Sequence, residues 1–95
     1  MVSGQDVRFE DTLLRGADFY QAKLPGVRFF DCDLSAVEFS KADIDGACLH
    51  GSRLDGLKGA AYLKGVAIDR AQVLPLALPL YAELGIAVDE DREPR

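Results

Sequence analysis

The sequence predicts an all-β solenoid, a strand of two or three residues and a turn repeated around a closed square, followed by a short helical segment. Three observations predict it. A period of five residues runs unbroken from Val7 to Gly56. The third residue of every five is Leu, Ile or Phe, and the first is always small or β-branched. Glycine fills half of the fifth positions.

The third positions are Phe9, Leu14, Phe19, Leu24, Phe29, Leu34, Phe39, Ile44, Leu49 and Leu54. Those three residue types make up roughly a fifth of the chain, so ten chance hits have odds on the order of one in a million, even with a free choice of register. The first positions are Val7, Thr12, Ala17, Ala22, Val27, Cys32, Val37, Ala42, Ala47 and Ser52. Residues two apart in a strand point the same way, so first and third residues both face the axis. Gly16, Gly26, Gly46, Gly51 and Gly56 suit a turn with positive φ at its second central residue. Where the fifth residue is Asp, Gln or Lys, the expectation is a turn with negative φ. The second, fourth and fifth positions are mostly charged or Ser, as solvent-facing sites should be.

Read this way, the chain resembles the pentapeptide-repeat family, whose loose consensus is A-(D/N)-L-x-x. The units ADFYQ (17–21) and ADIDG (42–46) match it most closely, and CDLSA (32–36) has Cys32 for the alanine. The resemblance covers about half the chain. It implies a right-handed quadrilateral parallel β-helix, four pentads to the coil, and a protein that binds partners and catalyses nothing. Residues twenty apart then share a face. Face one stacks Phe9, Phe29 and Leu49; face two stacks Leu14, Leu34 and Leu54; face three pairs Phe19 with Phe39; and face four pairs Leu24 with Ile44. The rings fall on opposite walls with aliphatics between, which should keep them from colliding in one layer. Ten pentads make two and a half coils, a column about 12 Å tall.

Domain organisation follows. Residues 1–66 form the β-helix, with pentads over 7–56 and an irregular last half-coil over 57–66. Residues 67–88 form a helical cap and dimerisation module, and 89–95 a charged tail. In the half-coil, Leu57, Leu63 and Val66 are expected core residues. Asp69 followed by Gln72 has the pattern of a helix start, and Leu84-Gly85 that of a helix stop. Pro75 and Pro79 between them predict a kinked helix or two short ones over about 70–84. The segment carries two apolar stripes where a simple cap needs one. Val73, Ala77, Leu80 and Leu84 are expected to close the column, leaving Leu74, Leu78 and Tyr81 as the candidate dimer interface. Met1 to Asp6 is too short and polar to cover the first coil. Either a partner covers that end or the chain is the carboxy-terminal part of a longer repeat protein.

Several function classes are disfavoured. No phosphate loop, dinucleotide fingerprint, zinc spacing or serine-hydrolase elbow appears, so no catalytic, cofactor-binding or metal-binding residue is assigned. His50 is the only histidine and has no second ligand. Cys32 faces inward as a small apolar residue, whereas Cys48 faces outward. Two cysteines make no disulfide framework and fit a reducing cytoplasm. The longest apolar run, Val73 to Ala82, contains two prolines and is too short to span a bilayer. A net charge of −5 disfavours direct nucleic-acid binding and makes basic surfaces candidate partners. The candidate acidic surface is Asp18, Glu38, Asp43 and Asp45, and Tyr20 and Phe30 are candidate exposed contacts. The first functional expectation is therefore an interaction module, homodimeric and without a small-molecule substrate. The alternative implied by the resemblance is an acidic DNA mimic that modulates or protects DNA gyrase or topoisomerase IV, as the quinolone-resistance members do.

Overall fold

The computed structural model describes residues 7–88 and 90. The uncapped start at Met1 to Asp6 and nearly all of the charged tail lie outside the described residues.

The five-residue period becomes four parallel ladders. Strand β1 (Arg8–Glu10) pairs with β2 (Arg28–Phe30) in the register Arg8↔Arg28, Phe9↔Phe29, Glu10↔Phe30. Single-residue bridges carry face one on through Cys48 to Ala67, face two through Leu13, Asp33 and Arg53, face three through Asp18, Glu38 and Lys58, and face four through Lys23 and Asp43. At each rung one second-position residue spends both backbone groups on the coil before it. Asp43, for example, donates its N–H to Ala22 O and accepts from Leu24 N, both at 2.8 Å.

First and third side chains fill the axis as their spacing requires. Phe29, Leu34, Val37, Phe39, Ala47 and Leu49 are fully buried, whereas Val7, Phe9, Leu14, Ala17 and Phe19 of the first coil are only partly covered. The phenylalanines stack along each wall at the twenty-residue spacing, and across the axis they meet edge to face without colliding. Phe9 stacks on Phe29 with centroids 5.1 Å apart, and Phe19 on Phe39 at 5.6 Å. Rings from the two walls also meet edge to face, Phe29 and Phe39 at 6.1 Å. The edge of one ring is attracted to the face of the next, so the two stacks interlock along the axis.

The turns correct an expectation. Fifth-position φ is positive for every residue type: Asp11, Gln21, Asp31, Ala36 and Lys41 lie between 50° and 58°, in the same region as the glycines. Ladder spacing forces each corner to bend alike, and the non-glycine residues bear the left-handed strain. One corner uses a side chain in place of a turn bond. The Ser52 hydroxyl donates to Phe29 O (2.9 Å) and accepts from Cys32 N (3.1 Å). One coil earlier Cys32 Sγ lies 3.4 Å from Phe9 O, so this thiol also serves as a weak donor.

The column exceeds two and a half coils, because a further rung joins Ala67 to Cys48. Between Lys58 and Gly65 the chain leaves the ladder. Gly59 takes the inward place with φ 82°, where a Cβ would overlap the backbone of Phe39 and Ser40. With no side chain to fill the wall, the chain tightens into the 3-10 turn Ala60–Tyr62 and regains pairing where Gly46 N donates to Gly65 O. Leu57 is buried, and Leu63 and Val66 are partly so.

A 3-10 turn over Arg70–Gln72 leads into α1 (Val73–Glu83), a single helix despite Pro75 and Pro79. Its start is a capping box. The Asp69 carboxylate accepts from Gln72 N, and Gln72 Oε1 accepts from Asp69 N. The other ends of both side chains tie the helix to the column. Asp69 Oδ2 accepts from Gly51 N at 2.7 Å, and Gln72 Nε2 donates to Leu49 O and Ser52 O. At the far end Gly85 N donates to Ala82 O and Ile86 N to Tyr81 O, a Schellman stop with Gly85 at φ 72°.

Candidate functional site

The exposed helix surface is larger than the sequence suggests. No residue of α1 is buried. Leu76 and Leu80, four apart, are the side chains packed against the core. Val73 and Leu84, expected to close the column, are more than half exposed. The helix is rotated so that Leu76 takes their place. The anchors at Gln72 and at Glu83, whose carboxylate accepts from Ala60 N at 2.6 Å, hold it in that rotation. Leu74 is 70% exposed, Leu78 60% and Tyr81 38%, all on the side away from the column. Ile86 and Val88 extend the apolar surface past the helix stop.

The acidic candidates sit where the pattern puts them, on faces three and four, yet three of the four have local work. Asp18 accepts from Tyr20 N (2.9 Å), Glu38 from Ser40 N (2.8 Å) and Asp43 from Asp45 N (3.3 Å). A second-position carboxylate thus satisfies the N–H of the following turn, which explains the preference for acids there. The Ser40 hydroxyl and amide hold the Glu38 carboxyl below its ordinary range, and Ser35 does the same for Asp33. The ladders are also mixed in sign. Glu38 lies between Asp18 and Lys58, and Asp43 bridges Lys23. Residues 7–69 hold ten Asp and Glu against eight Lys and Arg, so most of the net −5 lies outside the column.

Of the two aromatic candidates, Tyr20 is exposed, with Lys41 Nζ 5.9 Å from its ring centroid. Phe30 is a correction. It is half-buried, because Arg8 lies over its ring at 5.1 Å and His50 meets it edge-on at 6.3 Å. Stacking at twenty-residue spacing brings outward side chains together as effectively as inward ones. Sequence reading missed Leu13, which stands 84% exposed on face two, and the anchoring Glu83. The outward second position identifies Leu13; nothing local marks Glu83.

Among the described residues there is no cluster of His, Cys, Asp or Glu suited to a metal, and both cysteines are free. No helix among them is long and apolar enough to cross a membrane. The arrangement offers contact surfaces: the outward faces of the column and the exposed side of α1.

The family model for pentapeptide repeats matches residues 5–29 and 31–56 in 8 copies. The chain belongs to the pentapeptide-repeat family. Its coils are that family's β-helical solenoid. Two solved structures of trypsin-treated variants of QnrB1, described as a plasmid-mediated fluoroquinolone resistance protein, are similar to this pentapeptide-repeat chain. Each is 30% identical over 92% of this chain, with a TM-score of 0.44. This chain spans 42% and 43% of their lengths. No curated relative matches it.

Proposed function

We propose that the chain is a non-enzymatic interaction module of the cytoplasm: a right-handed, four-sided column whose C-terminal helix joins two copies into a homodimer. The observation that carries this reading is the unburied helix. Leu74, Leu78 and Tyr81 form one stripe directed away from the column. Covering a leucine contributes about 1.5–3 kcal/mol, and a two-fold pairing covers the same stripe on both subunits. Light scattering at tens of micromolar tests it. The unmutated chain should run as a dimer and Leu78→Glu as a folded monomer; a monomeric unmutated chain overturns the reading.

A second reading, an acidic surface that takes the place of DNA on gyrase or topoisomerase IV, has one supporting observation. Asp18 bridges Glu38 on face three, with Asp43 and Asp45 exposed on the next face. The adjoining Lys23 and Lys58 and the near-neutral column weaken it, so it ranks below the interaction module. A supercoiling assay decides it: inhibition or protection lost on Asp18→Lys with Glu38→Lys supports mimicry, and no effect of the unmutated chain excludes it.

A further inference from the structure

Face four has a vacant rung. On every other rung between the second coil and the third, one residue donates to a first-position carbonyl and accepts from a third-position N–H, as Lys58 does for Val37 O and Phe39 N at 2.8 Å. On face four the equivalent groups are Ala42 O and Ile44 N. Neither has a hydrogen-bond partner among the described residues. The cause is the 3-10 turn, in which Tyr62 N and Leu63 N are spent on Gly59 O and Ala60 O. A groove of about 370 Å³ lies over the gap, lined by Ala42, Asp43, Ile44, Asp45, Tyr62 and Lys64. Buried backbone groups left unpaired are rare and costly, so an open pair beside a groove is an acceptor site for backbone.

We propose that this slot binds one residue of an extended partner peptide, which completes the missing rung by strand addition. The geometry of the filled rung below it defines the occupant. Asp43 closes the Ala22–Leu24 pair with its own N–H and C=O, while its side chain points outward on the Lys23 ladder. A peptide residue in the vacant rung would place its side chain outward above Asp43, beside the exposed carboxylate of Asp45. The two carboxylates outnumber the one cation of the groove, Lys64, so that position selects a lysine or arginine, with small or apolar neighbours directed toward the axis. The inference is independent of helix pairing, because Leu74, Leu78 and Tyr81 do not line the groove.

The test is an NMR titration of the full chain with the blocked peptide Ala-Ala-Lys-Val-Ala. The Ile44 amide should shift saturably at millimolar or lower peptide, as its new carbonyl partner arrives. Methylating the lysine amide nitrogen removes the donor to Ala42 O and should weaken binding about tenfold. Replacing the peptide lysine by glutamate, or introducing Asp43→Asn in the protein, should weaken it as well. Leu78→Glu should bind the peptide unchanged, which separates this site from the dimer interface. An unmoved Ile44 amide, or equal binding of the methylated peptide, would overturn the proposal. So would an Ile44 amide as slow to exchange in the free protein as that of Leu24, because the rung would then already be closed. Protection that grows with protein concentration would make the occupant a second copy and equally overturn the partner peptide.

Discussion

The repeat column and the C-terminal helix are nearly opposite in how they hold together. In the second coil every inward side chain is buried, from Val27 through Ile44, and each rung is closed by backbone from the next coil, the vacant face-four rung excepted. The helix buries none of its eleven residues. It is held at its two ends by polar anchors, Gln72 at the start and Glu83 at the finish, with Leu76 and Leu80 resting on the column between them. A column of this kind is stabilised by repetition. The helix is placed by a few specific bonds, which leaves most of its apolar surface for something else.

The largest effect should come from breaking the column at its centre. Phe29 is stacked on Phe9 and meets both Phe19 and Phe39 edge to face. Phe29→Ala should cost about 3–5 kcal/mol, enough to unfold a domain this small, and circular dichroism should show lost β structure at room temperature. Gly59→Ala should come next, at about 3 kcal/mol, because it adds a side chain against the Phe39–Ser40 backbone at a left-handed φ. A melting curve little changed by Gly59→Ala would mean that the 3-10 turn can shift to make room.

Gln72→Ala should loosen the helix from the column. It removes the donor to Leu49 O and Ser52 O and half of the capping box. A loss of about 2 kcal/mol is expected, with protease cleavage appearing in the helix before the column. Simultaneous cleavage of both would show that the two regions unfold as one. The smallest effect is a gain. Ala36 sits at φ 57°, so Ala36→Gly should stabilise by about 1 kcal/mol and raise the melting temperature by roughly 4–8 °C.

How much of this was legible in the sequence divides along the same line. The inward positions were readable because the same side chain type recurs every five residues from Phe9 to Leu54, and the capping box because Asp69 and Gln72 are local to each other. The turn conformation at Asp11, Gln21, Asp31 and Lys41 was misread from residue type, because the ladder and not the local chain sets it. Phe30 was misread as exposed because its cover, Arg8 and His50, comes from neighbouring coils. The orientation of the helix escaped for a related reason. Glu83 reaches Ala60 across twenty-three residues, and no short-range pattern fixes that contact.

Under the proposed pairing the column stands alone while a second copy covers the helix. Native-state hydrogen exchange at two protein concentrations tests it most directly. Helix amides from Leu78 to Glu83 should become more protected as concentration rises, while the amides of Phe29 and Phe39 exchange at the same slow rate throughout. Helix protection independent of concentration would contradict it.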